Sequence, residues 1–261
     1  MKDYIAYLKF DTLSEEEILN IYRQKALSKE RCFTTTPNLD GMRISYKNKE
    51  LRSFINNADI STIDGVPVKW IARWVGKGKQ FKYKISGSDL ALKVIEMAAE
   101  NNFSILLFGG KDGVATQAKE NLLKKYPNLK IFTICPEFGH ENDPELSKKY
   151  ALEIKSINAD INFICTGFPK AEIFFSKNID ILTKGLYFFV GATIDFIAGS
   201  VKRAPAWMSK CGLEWFYRLC HDFRRLFKRY WLDFWFLIKM FFICLFNKKK
   251  FLKMNNEMEA K

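Results

Sequence analysis

Histidine is scarce in this 261-residue chain, and its six cysteines are scattered. The two histidines are His140 and His221, and no two cysteines form a Cys-x-x-Cys pair. A zinc site built from histidine and cysteine is therefore not expected. Cys135 and Cys165 lie in apolar runs typical of buried strands, which predicts free thiols in a reducing compartment. Asp-x-Asp is absent as well, so no such acidic pair is present to hold a divalent metal ion.

The chain also lacks an apolar leader. Residues 1–10 carry two lysines and an aspartate around a short mixed run, whereas a secretory signal peptide has a continuous apolar centre. We therefore expect the protein to stay in the cytosol.

A long apolar run is missing too. The most apolar segment, Trp231–Phe246, has 16 residues and contains Asp233 and Lys239, whereas a spanning helix needs about 20. Lysines follow it, which favours a helix lying in the membrane surface with its lysines on anionic headgroups. A short transmembrane anchor is the alternative. A nucleic-acid-binding tail is a third option, which the unbroken Phe and Trp runs disfavour.

Acidic residues are few in one part of the chain only. The net charge is +13, and the segment from Lys202 to Lys253 has 13 Lys and Arg against three Asp and Glu. The remaining sequence is nearly balanced. An anionic partner is therefore expected at the C-terminal segment and not over the whole surface.

Apolar runs alternate with amphipathic segments through the first 200 residues, which predicts an α/β fold with a parallel sheet covered by helices on both faces. We divide the chain into a core, residues 1–200, and a helical, basic and aromatic C-terminal appendage, residues 201–261. The predicted strands are Arg31–Thr36, Ile60–Ile63, Ser104–Phe108, Lys130–Cys135, Asn162–Cys165 and Gly185–Val190. The predicted helices are Ser14–Lys29, Lys47–Asn57, Ser88–Asn102, Asp112–Lys125, Asp143–Ile157 and Pro169–Leu182.

The predicted strands end in polar or glycine-rich turns, and ligands of such sheets bind at the carboxyl ends of the strands. One crevice rim is therefore predicted from Thr36–Asn38, Asp64–Gly65, Gly109–Gly110, Gly167–Pro169 and Gly191–Ala192.

Three positions in the predicted core have two interpretations from the residues alone. Asp64 is either a general base or the cap of a helix that begins near Val66, and the cap is favoured. Gly109-Gly110 is either a diphosphate cradle or a tight turn. Asp195 lies in an apolar run and needs a polar partner or a ligand.

Arginines recur in the appendage. Arg218, Arg225 and Arg229 would share one face of a continuous helix, within roughly 40° of each other. Such a stripe suits bidentate binding of phosphates. A solvated basic face is the alternative.

A set of short motifs in a fixed order resembles the WecG/TagA/CpsF family, glycosyltransferase family 26, over roughly residues 30–232. Each motif is short, and their order and spacing together are specific. The motifs are Thr36-Pro37-Asn38, Asp64-Gly65-Val66-Pro67-Val68, Gly87-Ser88-Asp89-Leu90, Gly109-Gly110, Tyr126-Pro127, Gly167-Phe168-Pro169-Lys170 with Glu172, Gly191-Ala192, Arg203-Ala204-Pro205, Gly212-Leu213-Glu214-Trp215 and Tyr217-Arg218-Leu219.

The resemblance implies a Rossmann-like core and an inverting, metal-independent transfer of a sugar from UDP, without a cofactor. The transferred sugar would be an N-acetylhexosamine such as N-acetylmannosamine, or a uronic acid. The acceptor would be a sugar on polyprenyl diphosphate, used to build a bacterial surface polysaccharide. The enzyme would be peripheral on the cytoplasmic face of the inner membrane, with an anionic membrane surface and no nucleic acid as partner.

Roles for individual residues follow from the same resemblance. Asp64 matches the general base, which overrides the cap interpretation, and Thr36, Asn38 and Lys84 match the catalytic surroundings. The residues that match the nucleotide-sugar side are Gly109, Gly110, Gly167, Pro169, Glu172 and Asp195. The residues that match the lipid-diphosphate acceptor side are Arg203, Arg218, Arg225 and Arg229.

Two positions depart from the family pattern. Lys84 stands where an arginine is usual and keeps the charge without the bidentate fork. Ala171 stands where a glutamine is usual and cannot form a side-chain hydrogen bond. Either the sugars differ from those of better-known members or the activity is weak. A non-catalytic accessory subunit for a partner transferase is the alternative, and a membrane-bound oxidoreductase is disfavoured because G-x-G-x-x-G is absent.

Overall fold

The core of the protein is a six-stranded, fully parallel β-sheet. A computed structural model describes residues 2–202, 204–205, 208 and 214–259. An antiparallel hairpin, β1 (Lys2–Ile5) and β2 (Leu8–Asp11), precedes the sheet. The sheet strands, in the spatial order β4-β3-β8-β7-β5-β6, are β3 (Cys32–Thr35), β4 (Ile60–Ser61), β5 (Ile105–Gly109), β6 (Ile131–Ile134), β7 (Ile161–Cys165) and β8 (Leu186–Phe189).

Helices connect the strands and continue beyond them. The first nine are α1 (Glu15–Leu27), α2 (Leu39–Lys47), α3 (Lys49–Asn56), α4 (Val66–Trp74), α5 (Gly87–Glu100), α6 (Val114–Lys125), α7 (Pro144–Ile157), α8 (Lys170–Lys177) and α9 (Thr193–Ala198). The C-terminal helices are α10 (Glu214–His221), α11 (Phe223–Phe246) and α12 (Lys249–Glu259).

Successive side chains of each central strand enter different hydrophobic cores, as the alternation of a strand requires. In β5, Leu106 and Phe108 belong to one core, whereas Ile105 and Leu107 belong to the other. Both cores are covered by helices. The α/β, Rossmann-like fold class predicted from the apolar strand runs is thus confirmed.

Helix starts follow ordinary capping chemistry. Ser14 and Glu17 form a capping box at α1, and Asp143 accepts hydrogen bonds from the first turn of α7. The predicted start of α5 at Ser88 was wrong, since Ser86 accepts the hydrogen bond from the Asp89 N–H and the helix begins at Gly87. The hairpin β1–β2 and helix α2 were missed from sequence.

The C-terminal helices share one of the two cores. One face of α11 is buried through Leu226, Phe236, Met240 and Cys244, and the Phe236 ring lies 5.9 Å from that of Tyr46 on α2. On α12, the Asn255 side chain donates to the Ala6 carbonyl oxygen at 3.1 Å. Residues before and after residue 200 therefore pack into the same hydrophobic core. The division into a core and an appendage at this residue stays a prediction from sequence.

The predicted continuous arginine helix was wrong. Helix α10 ends at His221, Asp222 adopts a bend with φ −142° and ψ 54°, and α11 begins at Phe223. Arg218 is therefore on a different helix from Arg225 and Arg229.

Candidate active site

A cavity of about 1010 Å³ lies at the carboxyl ends of the sheet strands. One wall, called here the strand-end wall, consists of the turns after β3, β4, β7 and β8 with α8 and α9. The facing wall, called the helical wall, consists of α10 and the first part of α11. The predicted site residues that line the cavity are Thr36, Asn38, Asp64, Gly167, Glu172, Asp195, Arg218 and Arg229.

Thr36, Asn38 and Asp64 are brought together by neighbouring parallel strands. Beyond the end of β3, the Pro37 carbonyl oxygen accepts from the Asp64 N–H at 3.4 Å, so the two turns after β3 and β4 are joined. Thr36 also packs on Gly87, where an added Cβ would lie 2.6 Å from the Thr36 Oγ1. Contacts to the backbone therefore help to bring the candidate base and its neighbours together.

Two of these residues differ in detail from the sequence-based interpretation. The residue that begins α4 is Gly65, with φ +100° and no side-chain cap, so Asp64 is not the helix cap. Asn38 does cap a helix, because its Oδ1 accepts from the Gly41 N–H at 3.0 Å at the start of α2. This bond fixes the orientation of the Asn38 amide at the cavity edge.

Lys84 is exposed and is not among the residues that line the cavity. It precedes Ile85, whose N–H donates to the Ile63 carbonyl oxygen beside Asp64. Its catalytic role stays a prediction that the geometry does not support.

The glycine pair at the end of β5 allows close packing against β7. Gly109 has φ +128°, and a Cβ there would lie 2.8 Å from the Cys165 carbonyl carbon on β7. Neither Gly109 nor Gly110 lines the cavity, although Lys111 and Val114 do. Of the two interpretations, this favours the tight turn. Pro169 also lies outside the lining, as the residue that precedes α8.

Glu172 lies in the first turn of α8 and is 6% exposed. Its Oε2 has no hydrogen-bond partner in the described part of the chain. Burial raises the pKa of this carboxyl to about 8. A hydrogen bond from the Glu172 backbone N–H has the opposite, smaller effect on the pKa. Asp195, on α9, is partly buried and lines the same cavity.

The helical wall contributes cations. The Arg218 guanidinium lies 5.0 Å from the centre of the Phe196 ring on α9, which orders it across the cavity. Arg229 Nε lies 3.0 Å from Asp40 Oδ2. Arg203 lies outside the described residues, and so does the side chain of Arg225, so the structure leaves both predictions open.

Four charged groups link α11 to α2, and sequence reasoning missed this cluster. Arg43 pairs with both Asp40 and Asp233, and Arg229 pairs with the same two carboxylates. Burial raises the pKa of Asp233 to about 6, and the hydrogen bond from Arg43 partly offsets this rise. No short-range pattern indicated the pairing, because Asp40 and Asp233 are far apart in the chain.

The outer face of α11 is apolar as well. Phe227, Trp231, Phe234, Trp235 and Phe242 are each about half exposed.

In the described residues, no single helix is long and apolar enough to cross a membrane. The pair Leu226–Phe246 and Lys249–Glu257, bent by 103°, meets that test together by length and composition alone.

Metal ligands do not gather at the cavity. Within residues 2–202, 204–205, 208 and 214–259, no three His, Cys, Asp or Glu side chains are grouped to bind a metal ion. The metal-independent mechanism stays a prediction.

Comparison with known proteins supports the resemblance. The profile of the family described as "Glycosyl transferase WecG/TagA/CpsF family" matches residues 4–251. Two curated relatives carry the name N-acetylglucosaminyldiphosphoundecaprenol N-acetyl-beta-D-mannosaminyltransferase. The Bacillus subtilis protein is 28% identical over 173 residues, which are 66% of this chain and 65% of the relative. The Bacillus spizizenii protein is 25% identical over 187 residues, which are 72% of this chain and 70% of the relative.

The match with the Bacillus subtilis relative thus spans 65% of that protein's length, and the family profile spans the sheet, the cavity and α11. With the order of the motifs and the parallel sheet, these findings establish that the chain belongs to the WecG/TagA/CpsF family of glycosyl transferases.

Proposed function

We propose that this protein transfers a sugar from a UDP-linked donor to a sugar carried on a polyprenyl diphosphate, with inversion at the anomeric carbon. One observation carries the proposal. A single cavity joins the candidate base Asp64, beside Thr36 and Asn38, to the cations Arg218 and Arg229 on the opposite wall. Its volume of about 1010 Å³ suits two sugars with a diphosphate better than one small metabolite.

The chemistry requires one base and no covalent intermediate. Asp64 removes the proton from the acceptor hydroxyl, and that oxygen attacks the anomeric carbon of the donor sugar. The bond between this carbon and the phosphate oxygen breaks on the opposite side, and UDP leaves with the electron pair. Arg218 offers positive charge to a diphosphate, which guanidinium groups bind in bidentate fashion. Arg229 lines the same cavity and shares its charge with Asp40 and Asp233.

The relatives' names support the choice of sugars. Both are named for transfer of an N-acetylmannosaminyl group to an N-acetylglucosaminyl diphosphoundecaprenol. An N-acetylhexosamine donor is therefore the first candidate for this chain. Lys84 and Ala171 motivated the accessory-subunit alternative. Both relatives are named as transferases, and Asp64, Thr36 and Asn38 line the cavity of this chain, so that alternative is not favoured.

We also propose that the protein works at the cytoplasmic face of the bacterial inner membrane. The exposed aromatic face of α11 would enter the headgroup region, and Lys248, Lys249 and Lys250 would meet anionic lipids. A lipid-linked acceptor would then reach the cavity from the side of the helical wall.

The test is a transfer assay with purified protein, a panel of UDP-sugars and a polyprenyl-diphosphate-linked amino sugar, with and without a chelator. Turnover of one donor that is unaffected by the chelator would support both the reaction and the metal-free mechanism. Binding of UDP without turnover of any donor would contradict the proposal and favour an accessory subunit.

A further inference from the structure

Glu172 is a buried carboxyl group at the wall of a ligand cavity, and no side chain in the described part of the chain forms an ion pair with it. It is 6% exposed, it lines the cavity, and its Oε2 has no hydrogen-bond partner within the described residues. Asp233, which is equally buried, pairs with Arg43 and Arg229 instead. A buried polar atom that stays unpaired carries a free-energy penalty, and a ligand atom can remove it.

The protonation state follows from this environment. Burial disfavours the carboxylate and raises the pKa of Glu172 to about 8, so the group carries its proton near neutral pH. A neutral carboxyl has an O–H that donates, whereas a carboxylate only accepts. The wall of the cavity therefore contains a neutral hydrogen-bond donor at this residue, without positive charge.

Other charged groups line the same cavity. They are Asp64, Lys111, Asp195, Lys202, Arg218, Asp222 and Arg229. The cations suit a diphosphate. A neutral donor in a buried corner suits an uncharged acceptor atom, and the carbonyl of an acetamido group is such an atom on an amino sugar.

We infer that the Glu172 carboxyl group, turned toward the cavity that it lines, donates a hydrogen bond to the acetamido carbonyl oxygen of one of the two sugar substrates, and so selects acetamido sugars over their 2-hydroxy counterparts. This inference rests on the proposed function. A substrate that lacks the carbonyl leaves the buried O–H unpaired, which is the physical origin of strong discrimination by polar pockets.

The experiment compares kcat/KM for matched substrate pairs that differ only in the acetamido group, with the full chain and two variants. The donor pair and the acceptor pair are tested separately, which identifies the sugar that Glu172 contacts. The parent protein should prefer the acetamido substrate of one pair at least tenfold near neutral pH, and the preference should decline above about pH 8, where the O–H is lost.

Two variants distinguish the effect of the hydrogen-bond donor from the effect of the shape of the side chain. Glu172→Gln keeps an N–H donor, so its preference should persist beyond the pH at which the parent loses it. Glu172→Leu has no donor and should lose the preference at every pH. Glu153→Gln, an exposed glutamate on α7, is the matched control and should follow the parent profile. Because Glu172→Gln leaves every other cavity group in place, its difference from the parent isolates the Glu172 proton.

Two results would overturn the inference: an acetamido preference that survives in Glu172→Leu, or an alkaline decline that is identical in the parent and in Glu172→Gln. A second readout does not need turnover. Infrared difference spectra of the parent minus Glu172→Gln should contain the carbonyl band of a protonated carboxyl at pH 7, and calorimetry should give the same preference for binding each substrate pair.

These readouts distinguish the two possible failures. Binding preference and the infrared band without turnover would contradict the proposed function and retain the assignment of Glu172. Turnover without any acetamido preference would support the transferase and overturn the assignment.

Discussion

The two walls of the cavity are built by different means. The strand-end wall is held by backbone hydrogen bonds between buried strands and by close contacts at Gly87 and Gly109. The helical wall is held by the apolar inner face of α11 and by Arg43 and Arg229 against Asp40 and Asp233. The candidate base therefore lies on the wall that backbone contacts build. The candidate acceptor cations lie on the part that depends on charge.

The largest effect is expected in the sheet behind the strand-end wall, where β5 packs against β7. Gly109→Ala places a Cβ 2.8 Å from the Cys165 backbone at φ +128°, which should lower the free energy of unfolding by about 3 kcal/mol or more. Gly113→Ala is the control, because Gly113 has φ +79° with nothing within 4 Å of the added Cβ, and should lose only about 1 kcal/mol. Urea denaturation measures both. Equal losses would mean that the close contact does not hold this wall.

The helical wall should be sensitive to a single cation. Arg43→Ala removes a partner from two buried carboxylates, Asp40 and Asp233, and should lower the free energy of unfolding by about 1–3 kcal/mol. Lys93→Ala breaks the exposed Lys93–Glu96 pair on α5 and should change it by about 0.5 kcal/mol or less. If both variants unfold at the same urea concentration, the cluster does not fasten α11 to α2.

The walls should also respond to pH in different ranges. The folded-state pKa of Glu172, about 8, lies above its ordinary value. Its contribution to stability is therefore complete below the unfolded-state pKa and is lost as the pH rises to about 8. Asp233, with a pKa of about 6, loses its contribution earlier, as the pH rises through about 6.

Melting temperatures of two variants separate these ranges. Between pH 6.5 and 8, Glu172→Gln should gain stability relative to the parent as the pH rises, whereas the difference between Asp233→Asn and the parent should stay nearly constant. Below pH 6 the relative stability of Asp233→Asn should also rise with pH, together with that of Glu172→Gln. Parallel curves for both variants over the whole range would remove the distinction between the walls.

The smallest effect is expected at the outer surface of the helical wall. Phe234→Ser removes one half-exposed aromatic from the outer face of α11 and should weaken binding to anionic vesicles by up to about tenfold, without loss of stability. Phe132→Ser, a similarly exposed aromatic on β6, is the matched control. Raised salt should weaken binding only in part, since apolar insertion is not screened. Equal vesicle binding by the two variants would place the membrane contact elsewhere.

Sequence reasoning found the elements that local patterns encode. Continuous apolar runs predicted the six parallel strands, because strands covered on both faces are apolar throughout. Ser14 and Asp143 predicted two helix starts because capping is local. The same logic put Thr36, Asn38 and Asp64 at one edge of the sheet before any geometry was available.

The misses arose from contacts between distant residues. Pro37-Asn38 was taken as a loop, although the Asn38 side chain starts α2. The pairing of Asp40 with Arg229 depends on how α11 packs, which no short motif encodes. Gly109 was weighed as a phosphate cradle, and only the approach of β7 showed that it is needed for packing.

The central claim is that Asp64 is the general base of a sugar transfer. The most direct measurement is turnover of the preferred UDP-sugar by Asp64→Asn, together with UDP affinity by calorimetry, and with Asp180→Asn, an exposed aspartate, as control. We predict a loss of about 10²–10⁴-fold in kcat for Asp64→Asn, with UDP affinity retained and the control unchanged. Full turnover by Asp64→Asn would contradict the account.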